Sequence, residues 1–120
     1  DVLKNYTDVW QIPKWKAHPR FSDLIIDGII YRHGDVGKGG STPAFSSAQA
    51  EFQSVVQGHH HSVAGVVYGA NKKDIYFGVQ TGCGIDVSNA SFNYGKKFSK
   101  KPILGCAVVI NGTPYFEPMV

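Results

Sequence analysis

Long hydrophobic runs are missing from this 120-residue chain. The longest, at residues 24–26, 29–31 and 107–110, fall far short of the roughly 20 apolar residues that a membrane-spanning helix needs, so no membrane anchor is expected. Cysteine is scarce: Cys83 and Cys106 are the two present. They make neither a disulfide framework nor a C-x-x-C ligand pair, and they suit a reduced, cytoplasmic setting. Charge is sparse as well, at 18% of residues and +3 overall, which is too little for a disordered polyelectrolyte. What is present is enough for one small folded domain: 42% apolar residues, including two Trp, six Tyr and seven Phe, can fill a core at this length.

Residues 1–22 read as a loop-like lead-in segment, with Pro13 and Pro19 breaking any helical period. Two apolar runs, 24–26 and 29–33, flank Asp27-Gly28, which signals a tight hairpin or a bulged strand ending at His33. Ser41, Thr42 and Pro43 then announce a helix, expected over about 44–55 with Phe45, Ala48, Phe52 and Val55 on one face. A short strand at 55–57 leads into Gly58-His59-His60-His61. Strands are expected at 63–68 and 74–80, and again around Asn111-Gly112, the strongest short-range hairpin signal in the chain. The pattern predicts a mixed α+β fold, mostly strands with one main helix and a β-meander in the C-terminal half.

Histidine carries the chemical signal. His33, His59, His60 and His61 all follow apolar runs, where strand ends project side chains into loops. In an extended loop His59 and His61 emerge on the same side and His60 on the other, so two imidazoles can converge on a transition metal. A solvated polar turn without ligands is the plainer alternative. His18 reads as a surface or packing histidine. The glycine-rich stretch around Lys38 fails the phosphate-loop pattern, because Arg32 stands where its first glycine belongs and Gly39 follows the lysine. Lys38 and the free N–H groups near it could still meet a phosphate. Lys96, Lys97, Lys100 and Lys101 form a short basic segment, read as a solvated loop with a slight lean towards a polyanion.

Together, Tyr31-Arg32-His33-Gly34-Asp35, a helix, and Val56-Gln57-Gly58-His59-His60-His61 followed by paired strands resemble the C-terminal half of a calcineurin-like metallophosphoesterase. The lone His-Gly motif and the Gly-His-x-His motif match. The Asp-x-His, bridging-Asp and Gly-Asn-His motifs do not occur. The resemblance implies half of an αββα sandwich, a single incomplete domain over residues 1–120. It implies a centre of two divalent ions (Mn, Zn or Fe), with His33 and His59 on one ion, His61 on the other, and His60 in the variable position. Asp35 and Gln57 are candidates for orienting an imidazole through its second nitrogen, and Lys38 for lying near the phosphate.

The activity so implied is hydrolysis of a phosphate ester, with nucleotides and nucleic acids among the candidate substrates. Three imidazoles without a bridging carboxylate cannot clamp two divalent ions about 3.5–4 Å apart. The expected partner is therefore the N-terminal half of the same fold, cleaved away or supplied as a separate chain; starting at Asp1 rather than Met fits that expectation. Two other readings stay open. One is a catalytically inactive structural or assembly protein that keeps the phosphoesterase β-fold; the other is a single-metal site from His33, Asp35, His59 and His61.

Overall fold

Asp27 and Gly28 both adopt positive φ, 50° and 76°, the pairing that a two-residue hairpin turn of matching twist requires. They join β1 (Leu24–Ile26) to β2 (Ile29–Arg32) antiparallel, with Ile26 opposite Ile29. The structure is a computed structural model that describes residues 6–37, 39–86, 88 and 100–119. A four-residue helix, α1 (Tyr6–Val9), lies in the lead-in segment. After β2 the chain crosses over through α2 (Pro43–Glu51) and returns as β3 (Val55–Gln57), parallel to β2, as a parallel pair must. A hairpin of β4 (Ala64–Ala70) and β5 (Ile75–Thr81) completes the sheet, with β5 lying parallel to β3. The strand order is β1-β2-β3-β5-β4.

The second sheet is the hairpin of β6 (Gly105–Ile110) and β7 (Thr113–Pro118), turned by Asn111 and Gly112 at φ 48° and 76°. The C-terminal half is therefore not one meander. Its two hairpins belong to different sheets, because β3 inserts beside β5 and leaves β6–β7 to pack face-on. Ala107 and Val109 cover a cluster of Ile29, Val56, Phe77 and Val79 on one face of the large sheet. Helix α2 covers the other face, where its Ala48 packs with Ile30 and Val55 of the sheet. The result is an α+β domain, mostly strands in two sheets with one main helix. Among the described residues no helix is long and apolar enough to cross a membrane.

Helix α2 is shorter than its apolar spacing predicts. Phe52 turns left-handed at φ 53° and caps the helix, and the Gln53 N–H closes on the Ala48 carbonyl at 3.2 Å, a common way for a helix to stop. Phe52 is therefore 79% exposed and Val55 belongs to β3. The face that packs is made of the small residues Pro43, Ala44, Ser47 and Ala48. It lies directly on Gly78 of β5, where a Cβ would stand 2.3 Å from the Phe45 nitrogen.

Candidate metal centre

The parallel register sets Arg32 opposite Gln57, so the residues that follow, His33 and Gly58, leave the sheet side by side. The Gly58 N–H extends the ladder by one bond, donating to the His33 carbonyl at 3.0 Å. One residue later the His59 ring meets the His33 ring edge to face, with centroids 5.1 Å apart and planes at 75°. His59 Nδ1 lies 3.2 Å from His33 Nε2. Two neutral imidazoles can share one proton across that gap. The same spacing suits two ligands of one ion, since nitrogens bound at about 2.0–2.1 Å in a tetrahedral shell stand about 3.3 Å apart.

The turn that presents His59 is not extended. His59 has φ 67°, and the His60 N–H donates to the Gly58 carbonyl at 2.8 Å. That i to i+2 bond around a residue of positive φ is the rare, strained form of γ-turn, costing about 1–3 kcal/mol for a non-glycine residue. The alternation of an extended loop is thereby lost. The His60 ring packs edge-on against His59 at 5.2 Å instead of standing clear of it. Partial burial pushes the His60 imidazole pKa down, and the neighbouring His59 and His61 charges add to the effect. His61 is exposed; its carbonyl accepts from the Ile103 N–H at 2.7 Å, which ties the histidine loop to the lead-in of the second sheet.

The other predicted residues fall around this pair. Asp35 holds Arg20 at 3.3 Å. Gln57 is fully buried, and neither atom of its amide has a hydrogen-bond partner. Lys38, Lys96 and Lys97 lie outside the described residues; Lys100 and Lys101 are exposed. Among the described residues no group of three or more His, Cys, Asp or Glu side chains is arranged as a metal cage. His33 and His59 fit as two ligands of one ion, whereas a dinuclear centre needs ligands beyond those that the described residues bring together.

Two features escape sequence reasoning. Gln80, opposite Gln57 on β5, donates its Nε2 to the Gly58 carbonyl. Arg32 binds both oxygens of Asp23, at 2.9 and 2.8 Å, and Glu51 at 3.0 Å. Burial opposes the charge on Arg32, yet the hydrogen bonds to Glu51 and Asp23 outweigh it and hold the guanidinium pKa above its ordinary value. Beside this cluster a cavity of about 570 Å³ opens onto His33, walled by Arg20, Phe21, Asp23, Arg32 and Asp35. No protein family, curated protein or solved structure matches the chain.

Proposed function

We propose that the chain is the histidine-bearing half of a metal-dependent phosphoesterase. The observation that carries this reading is the His33–His59 pair, two ring nitrogens 3.2 Å apart at the ends of adjacent parallel strands. In this reading His33 and His59 hold one ion, and His61, brought in by the motif resemblance, belongs to the second. The carboxylates that complete the centre come from the N-terminal half of the fold, the sandwich being of αββα type. Metal ions bound there would polarise the phosphoryl oxygens and lower the pKa of a coordinated water.

The chain's own residues supply binding and orientation. The Gly58–His33 backbone bond keeps the two rings in register, and the cavity beside His33 gives the ester a place to lie. Among the described residues, the cationic side chains that line it, Arg20 and Arg32, already face carboxylates, so these walls suit the organic part of an ester better than additional phosphates. The engagement of Asp35 by Arg20 favours the second reading, a catalytically inactive structural or assembly protein of the same fold.

Calorimetric titration with Zn²⁺ and Mn²⁺, paired with hydrolysis of bis-p-nitrophenyl phosphate, separates the two. The phosphoesterase reading expects wild-type protein to bind metal, His59→Ala and His33→Ala to lose that binding, and hydrolysis to appear once the N-terminal half is present. Wild-type protein that binds neither ion would leave the structural reading standing.

A further inference from the structure

We infer that Gln80 is a positioning residue for the His33–His59 pair, its buried amide clamping the Gly58 peptide so that His59 stays in its left-handed turn and faces His33. Where metal affinity is concerned the inference rests on the reading above; the placement of the rings does not depend on it.

Gln80 is only 4% exposed, on a strand whose neighbouring core residues Phe77 and Val79 are apolar. On the face it shares with Gly78 it lies next to the similarly buried Gln57. Its Nε2 points at the Gly58 carbonyl, an atom that can only accept, so the amide's orientation follows from chemistry. The Oε1 is left buried without a partner. A side chain that keeps one end unsatisfied while the other holds a loop carbonyl serves the loop better than it serves the core.

The Gly58 peptide is the hub. Its N–H donates to the carbonyl of His33 just past β2, and its own carbonyl accepts from the His60 N–H in the turn and from Gln80 on β5. Both lone pairs of that oxygen are used, so the plane of the Gly58–His59 peptide is held by a bond from the turn and a bond from β5. Removing the Gln80 donor frees the plane to rotate. His59 can then relax to negative φ, the region open to residues with a Cβ, and its ring swings away from His33.

The test is solution NMR of the full chain, reading the ring-proton NOE between His33 and His59, together with zinc titration and a thermal melt. Gln80→Met keeps the length and removes the donor. It is expected to lose the NOE and to weaken zinc binding by about 10- to 100-fold, the scale on which groups that orient a metal ligand act, with the melting midpoint held within a few degrees. Gln80→Asn, which keeps the amide but falls one methylene short, is expected to do the same and serves if the methionine variant does not fold. An NOE that persists in the folded variants overturns the inference. If wild-type protein binds no zinc but its NOE vanishes with Gln80→Met, the metal reading fails and the positioning role stands.

Discussion

His60 sits between two other histidines with its ring against His59, and the consequence is a pH dependence with a definite sign. Its folded pKa is depressed, first by burial and then by its neighbours, so below about pH 6.5, where a free histidine begins to charge, the unfolded chain binds more protons than the folded one. Stability then rises with pH. The contribution is fully present above pH 6.5 and is lost as pH falls through the folded value. Thermal melts from pH 7 down to pH 5 should show a declining midpoint, and His60→Asn should flatten that decline. An unchanged slope in the variant would remove His60 as its source. The same residue shows where local reading stops. A run of three histidines states which groups are near one another, but the positive φ of His59 comes from bonds made by Gly58 and Gln80, and Gln80 is remote in sequence.

At the scale of elements, Arg32 is the joint. Its guanidinium, whose side chain is 12% exposed, binds Asp23 ahead of β1 and Glu51 at the end of α2, so one residue of β2 ties the edge hairpin to the crossover helix. Both carboxylates are about 40% exposed, and solvent screening lowers their contribution below that of a buried pair. Arg32→Met should therefore cost about 1–2 kcal/mol in urea unfolding, while Glu51→Gln should cost less, since Asp23 still answers the charge. A loss of several kcal/mol from Glu51→Gln would mean that the helix contact, not the bidentate pair, dominates. Which elements were legible follows the same logic. Asn111-Gly112 writes its turn into two residues, and that hairpin lies where the sequence predicts it; at Asp27-Gly28, where the sequence allows a hairpin or a bulged strand, the hairpin forms. The end of α2 does not, because Phe52 and Val55 keep the helical spacing while the chain has already turned at Phe52. The assignment of β6–β7 to a second sheet depends on β3 pairing with β5, a contact between distant segments that no local period records. The His33–His59 meeting was legible as a motif; Gln80 was not, since a lone polar residue in a strand reads as solvent-facing.

For the whole molecule, the large sheet is covered on both faces at its centre and bare at one edge. Val55 and Val79 are fully buried, on opposite faces, against α2 and the second sheet. At the edge, Leu24, Ile25 and Ile26 of β1 are 40%, 60% and 47% exposed. Opening free energy should follow that gradient, because a strand with few buried contacts opens at little cost while one packed on both faces opens only with the domain. Native-state hydrogen exchange should give the slowest amides in β3 and β5, at or near the global unfolding free energy, and amides of β1 that exchange faster by about 100-fold or more. The His33–Gly58 bond lies at the protected end of that gradient, so the Gly58 amide should exchange with the core strands and not with the loops. Fast exchange at Gly58 would show the histidine loop opening independently of the sheet, and the pair would then be a transient contact instead of a preformed site.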